Sequence, residues 1–494
     1  MLIFEVLQSI ISLESLLFMN VGVAAGIVIG ALPGLTPTMG IAILLPLTFG
    51  MAKIPGMMLM LGVYCGGIYG GSITAILLRT PGTPAAAATA IDGFEMARQG
   101  NAGRALTMAL KASLVGGLLS ALSLLLVAPQ LAAVAIRFGP PEYFALCLFG
   151  LTIISSVSTN LMTKGLLAGF LGLFASTIGI DPISGYERMT FGIWQFQIGI
   201  KLIPALIGLF AISELMDKTK NIKVPLGKMI EYKKQLLAWW EVLKYWKTLL
   251  VSSAIGIVVG ATPGTGAAIS SFLAYNIAKT TSKHHKIEEF GEGCIEGVAA
   301  AETANNGVTG ATLIPLLTLG IPGDSITAVL LGALMMQGIT PGPRLFIQQP
   351  HWVYCVILGL FFVNLFMYAQ GKLFIRVFIN VVKVPAAVLV PMLFVLCILG
   401  SYAASSLMFD VYVTLAFGFV GYILIKFDYP VTPMVIAIVL GSLTESNLRR
   451  SLIISGGSIF IFFTRPISLL FIIISIITLF YPLVKKIRAK KVVN

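Results

Sequence analysis

An all-α polytopic membrane protein, built from two structural repeats expected to be inverted and with helices broken or re-entrant at Pro-Gly motifs, is what this 494-residue sequence predicts. Three observations carry that expectation. The chain is 57% hydrophobic and only 11% charged, with a mean hydropathy of +0.96. Soluble domains carry about 25% charged residues, so a soluble enzyme or a disordered scaffold is excluded. Apolar stretches of spanning length recur along the whole chain, roughly 20 residues being needed to cross a bilayer. Pro-Gly pairs interrupt those stretches at matching places in the two halves.

The net charge of +13, from 33 basic and 20 acidic residues, suits cytoplasmic loops under the positive-inside bias rather than nucleic acid. Cys65, Cys147, Cys294, Cys355 and Cys397 are scattered without a CxxC pair, so neither a disulfide framework nor a metal site is expected. The opening segment MLIFEVLQSIISLESLLFMN has no basic n-region and no evident small-residue cleavage site. It reads as a retained segment, not a cleaved signal peptide.

Hydropathy divides the chain into four parts: a first transmembrane repeat over 1–216, a cytoplasmic basic linker with an interfacial helix over 217–247, a second repeat with a terminal helix over 248–484, and a basic cytoplasmic tail over 485–494. Some apolar stretches exceed one span and must be broken or hairpinned, giving roughly 10–14 crossings. The linker holds eight lysines against three acids, and LLAWWEVLKYW (236–246) mixes three Trp and a Tyr with charges, as an interfacial helix would. An ordinary aromatic belt at the start of the next span is the alternative.

GALPGLTP (30–37) matches GATPGTGA (260–267), RTPGTPAAAATA (79–90) matches GIPGDSITAVLL (320–331), and EYFALCLFG (142–150) matches DVYVTLAFG (410–418), all in the same order. Such internal symmetry is the usual sign of a duplicated transporter. The basic loop follows the second Pro-Gly segment in the first half (Arg98, Arg104, Lys111) and the first one in the second half (Lys279, Lys283, Lys286). That swap is what inverted topology requires.

Pro within an apolar helix removes a donor, and the following Gly favours non-helical dihedrals. Facing lipid, each freed backbone group would cost several kcal/mol, so such breaks belong in protein or beside a cavity. Four breaks occur, at Pro33-Gly34, Pro81-Gly82, Pro263-Gly264 and Pro322-Gly323, with hydroxyls around them at Thr36, Thr38, Thr80, Thr83, Thr262, Thr265 and Ser325. Half-helix N-termini offer N–H groups and a positive dipole end to an anion. These residues form the expected substrate site, the alternative being kinks whose hydroxyls bond back to their own helices. Arg79 is the only basic residue expected beside a break, so an acid would be held chiefly by dipoles and hydroxyls.

GCIEGVAAAETANNGVTGATLIPLL (293–317) places Glu296, Glu302, Asn305 and Asn306 at or inside a span, and Glu302 and Asn306 are one turn apart. Polar groups in a membrane default to function, helix–helix adhesion being the competing role. Asn305, Asn306 and Asp324 are the expected ligands of a coupling cation, Na+ or H+. No P-loop and no HExxH occur. A remote hydrolase reading pairs Gly323-Asp324 with Asp410 or Asp428, without the tighter GxGD context such an enzyme needs.

GALPGLTPTMGIAILLPLTFGM (30–51), YGGSITAILLRTPGTPAAAATAIDGFEMARQGNAGRAL (69–106) and IEGVAAAETANNGVTGATLIPLLTLGIPGDSITAVLLGALMMQGITPGP (295–343) resemble the large membrane subunit of tripartite tricarboxylate transporters. LFAISELM (209–216) and ESNLRRSLIISGGSIFIFFTRPIS (445–468) are similar too, so the resemblance covers nearly the whole chain. It implies a secondary transporter, not an enzyme, that takes up tri- or dicarboxylates with a cation gradient by alternating access. It further implies a small membrane subunit, an extracytoplasmic solute-binding protein, a bacterial cytoplasmic (inner) membrane location, no cofactor and no nucleic-acid partner. A stand-alone carboxylate channel or exporter is the alternative.

Overall fold

A computed structural model describes residues 2–32, 34–157, 162–181, 183–219, 230, 232, 235–264, 266–381, 384, 386–403 and 406–493. Pro33, Thr265 and residues 220–229, 231, 233 and 234 of the basic linker lie outside the described residues, as do the side chains of the KKIRAKK tail.

The described residues are predominantly helical. The chain opens with α1 (Leu2–Ile11), α2 (Leu13–Ala31), α3 (Pro37–Leu44), α4 (Lys53–Leu78), α5 (Ala86–Met96) and α6 (Ala102–Ala135). Next come α7 (Pro140–Val157), α8 (Met162–Ser176), a short hairpin of β1 (Gly179–Ile180) and β2 (Glu187–Arg188), then α9 (Trp194–Gln197), α10 (Leu202–Leu206) and α11 (Ser213–Lys218). The second half holds α12 (Trp239–Leu243), α13 (Trp246–Ala261), α14 (Gly266–Thr281), α15 (Ile295–Ala311), α16 (Leu313–Leu319), α17 (Ser325–Met336), α18 (Leu345–Gln348), α19 (Pro350–Val381) and α20 (Ala386–Ala403). The chain closes with α21 (Met408–Lys426), α22 (Val431–Ile454), α23 (Ile461–Thr464) and α24 (Pro466–Val493).

Among the described residues six helical stretches are long and apolar enough to cross a membrane; shorter apolar helices adjoin the first, third and fourth Pro-Gly pairs, and the second lies between two of the long stretches. The expected interruption of spanning stretches is therefore present as geometry. Two compact units form, one from Met1–Ala132 with Lys218–Gly400, the other from Ala133–Asp217 with Ser401–Asn494. Each draws on both halves of the sequence.

In the first unit, α2 and α4 approach until main chain meets main chain. A Cβ at Gly22, Gly26 or Gly30 would run into the backbone of Leu59, Val63 or Gly67, and Gly62, Gly66 and Gly70 of α4 are equally tight against α2. Small residues at this spacing allow such approach, and dispersion rather than hydrophobic transfer holds helices together in lipid. The same device recurs at α13 and α15, where Gly256 and Gly260 meet Ala304, Gly307, Val308 and Ala311. In both places the glycine-lined helix leads directly into a break.

In the second unit α22 is the packing centre, with Gly172 of α8 lying against Met434 and Gly441 against Ser176. The loop carrying the hairpin is fastened to α22 by ion pairs, Asp181 to Arg449 at 2.5 Å and Arg188 to Glu445 at 2.6 Å.

Candidate functional site

All four breaks belong to the first unit. The first and third share one backbone solution. After α2, Gly34 turns the chain at φ 81°, and after α13, Gly264 does the same at φ 81°. A left-handed φ is costly for any residue with a Cβ, which is why glycine occupies both positions. The second and fourth breaks share another solution. Arg79 ends α4 in the left-handed conformation at φ 58°, and Gly320 ends α16 at φ 73°; each lies three residues before the glycine of its Pro-Gly pair.

The breaks touch one another. The N–H of Gly264 donates to the carbonyl oxygen of Gly323 at 2.6 Å, and Thr38 Oγ1 and Ser325 Oγ share a hydrogen bond at 3.1 Å. Gly82 donates to the Gly71 carbonyl at 3.4 Å, and a Cβ on it would strike the backbone of Gly30 at the end of α2. Gly323 is similarly closed in by Thr312. Neither Gly34 nor Gly323 donates its N–H to a backbone carbonyl among the described residues. Their N–H groups are the donors that an anion would meet.

Several expected ligands also have local backbone partners. Thr36 caps α3 by accepting from Met39 N at 3.3 Å, and Thr83 accepts from Ala86 N at 3.2 Å. Thr262 donates back to the Val258 carbonyl at 2.9 Å, while Thr80 and Pro81 are exposed. The N–H of Gly264 is consumed by Gly323. Pro263 and Gly264 are half-buried, and Pro322 and Gly323 are buried.

Charge beside the breaks also departs from expectation. Arg79 is not alone: a Cβ on Gly34 would fall 2.5 Å from Lys218 Cε and 2.9 Å from its Nζ, so Lys218 covers the first break. Sequence placed Lys218 in the linker because nothing local distinguishes it from the seven other lysines there. Asp324 turns back on its own helix as the N-cap of α17, taking Thr327 N at 2.8 Å and the Thr327 hydroxyl at 2.7 Å. Tyr64 donates to its other oxygen at 3.3 Å and pairs with Thr312 at 2.9 Å. A capped helix start has its positive end already answered.

The most demanding group is Glu302. Its side chain is fully buried, held by the hydroxyl of Thr89 on α5 and by Ser113 Oγ on α6 at 3.0 Å. Asn306 Nδ2 donates to Ser113 Oγ at 2.8 Å, which places Glu302 and Asn306 on one face as their spacing implied. Ser72 and Asn305 face the same carboxylate without closing a hydrogen bond of normal geometry. Both polar atoms of the Asn305 side chain and Oδ1 of Asn306 stay unsatisfied. No basic side chain pairs with Glu302 among the described residues. A buried carboxylate without a counter-charge is strongly disfavoured unless a cation or proton joins it.

Asp92 was not singled out by sequence. Its Oδ1 accepts from the N–H groups of Gly291, Gly293 and Cys294 at 2.7, 3.0 and 2.8 Å, pinning the entry to α15 against α5. Of the aspartates in the hydrolase pairing, Asp324 is held by its cap and Asp410 by Lys201 at 3.0 Å.

The model of the family described as "Tripartite tricarboxylate transporter TctA family" matches residues 16–436. The chain is 37% identical over 474 residues, 95% of its own length and 93% of the other's, to a 52.8 kDa protein of the TAR-I ttuC′ 3′ region of Agrobacterium vitis. It is also 36% identical over 236 residues to a protein of the TAR-II ttuC′ 3′ region of that organism, covering 48% of this chain and 97% of the other. No solved structure matches. With that family match over most of its length, and with helices long and apolar enough for a multi-pass membrane protein, the chain belongs to the tripartite tricarboxylate transporter TctA family.

Proposed function

We propose that the protein is the membrane subunit of a binding-protein-dependent secondary transporter that takes up small tri- or dicarboxylates across a bacterial cytoplasmic membrane by alternating access. The observation that carries this is the contact between Thr38 and Ser325, which joins the first break to the fourth. Beside it lie the N–H groups of Gly34 and Gly323 and the ammonium of Lys218 over Gly34. Broken helices with free N–H groups inside protein suit a carboxylate.

The matching backbone at Gly34 and Gly264, and at Arg79 and Gly320, supports descent from a duplicated segment. The swapped basic loops favour an inverted relation. For the coupling cation, Glu302 with Asn305 and Asn306 is the better-founded site, and Asp324 recedes into a capping role. The unsatisfied amide oxygens suit Na+, and the lone carboxylate suits Na+ or H+. A small membrane subunit and an extracytoplasmic binding protein complete the assembly.

The test is uptake of labelled citrate and of dicarboxylates into vesicles holding the two membrane subunits, with and without the binding protein and an imposed Na+ or H+ gradient. Accumulation that needs both agrees with the proposal. Flux that needs neither would leave a channel or exporter in its place.

A further inference from the structure

A second, separate cation-lined site lies in the first unit. A cavity of about 400 Å³ opens between α6, α19 and the segment leading into α12. Lys111, Lys372 and Arg376 line it, and no carboxylate does so among the described residues. Lys111 is nearly buried, at 6% exposure, fixed by donation to the Leu237 carbonyl at 2.7 Å and by its position 4.5 Å from the Trp239 ring centre. Lys372 and Arg376 sit one turn apart on α19, exposed and with no hydrogen bond or ion pair among the described residues. The Tyr69 hydroxyl, fully buried on α4, lines the same cavity without a partner.

Three like charges around one hollow repel each other unless an anion joins them. Two features decide its kind. Trp239 and Tyr368 lie with ring centres 5.8 Å apart at the cavity, the aromatic pairing typical of headgroup depth. Leu373, Phe374 and Val377, all strongly exposed, continue from the cations along α19. An occupant with an anionic head and an apolar body satisfies both surfaces at once. Basic hollows between spanning helices take lipid headgroups in this way.

We infer that this cavity binds the phosphate of an anionic phospholipid, with Lys111, Lys372 and Arg376 around the headgroup and the acyl chains on the exposed face of α19.

The test uses the full-length chain purified in detergent, with lipid retained through gel filtration measured as phosphorus per protein after incubation with phosphatidylglycerol or phosphatidylcholine. Retention of phosphatidylglycerol over phosphatidylcholine is expected, and it should be roughly 30-fold weaker in Lys372→Gln/Arg376→Gln. Both positions are exposed, so the variant should fold, and Lys372→Arg/Arg376→Lys should retain binding. If the neutral pair proves unstable, wild-type retention must still fall between 0.1 and 1 M salt, as screening requires. Equal retention of the two lipids, or of phosphatidylglycerol by wild type and the neutral pair, would overturn the inference. Stabilisation by glycerol 3-phosphate or inorganic phosphate at the same concentration, with no lipid retained, would reassign the cavity to a soluble anion and overturn it as well. Uptake is not the readout, so failure here leaves the transport reading untouched.

Discussion

Gly264 donates its N–H to the carbonyl oxygen of Gly323, so the two breaks of the second half are closed on each other through main chain alone. No side chain can carry or replace that bond. At Gly264 a substitution must hold φ near 81°, which costs about 1–2 kcal/mol for an L residue. At Gly82 and Gly323 the obstacle is space, since a Cβ meets the backbone of Gly30 or of Thr312.

Gly82→Leu and Gly323→Leu should therefore abolish uptake, while the helices still insert because hydropathy is unchanged or raised. Membrane fractionation with uptake measured on the same vesicles checks this. Normal transport by both variants would refute a site built on the breaks.

The breaks themselves were readable from Pro-Gly within apolar runs, because they are a local backbone property. The partners of Glu302 were not. Thr89 and Ser113 reach it from about 200 residues away in sequence, through a unit assembled from both halves of the chain. The position of Lys218 over Gly34 was hidden for the same reason: it follows from tertiary folding, which charge counting along a linker does not register. Among the hydroxyls around the breaks, Thr36 and Thr83 accept from nearby backbone N–H groups and keep their own O–H free to donate, whereas Thr262 donates to a nearby carbonyl, a local difference that residue type alone does not register.

Glu302→Gln keeps the shape of the side chain but removes the charge and turns one of its two accepting oxygens into an NH2 donor, so that one of the Ser113 and Thr89 hydroxyls must accept in place of donating. Gradient-driven accumulation should be lost, while exchange of labelled for unlabelled solute at equilibrium persists. Accumulation at the wild-type level would remove Glu302 from coupling. Asn305→Ala should weaken the cation dependence in the same direction, seen as a raised Na+ concentration for half-maximal uptake if Na+ is the ion.

Lys218→Met removes the ammonium beside Gly34 with little change in side-chain length. A charge-assisted contact with a carboxylate contributes on the order of 1.5–3 kcal/mol, so solute affinity should fall by roughly tenfold or more. Binding measured by scintillation proximity on the purified chain separates this from assembly with partner subunits. Unaltered affinity would return solute recognition to dipoles alone.

The hairpin loop of the second unit offers a pH test outside the spans. The Arg449 guanidinium, helped by the Ser184 hydroxyl and the Ile183 N–H, holds the Asp181 carboxyl well below the ordinary aspartate range. A carboxyl depressed in the folded state stabilises it above the unfolded pKa, and that stabilisation fades as pH falls through the ordinary range toward the folded value. The loop should stay fastened at neutral pH and loosen only in strong acid. Asp181→Asn should loosen it at pH 7 as well. Hydrogen exchange of residues 183–193 reads the effect directly: protection in wild type at pH 7 should exceed that of the variant at the same pH. Equal protection in the two proteins would mean that Arg188 and Glu445 alone hold the loop to α22.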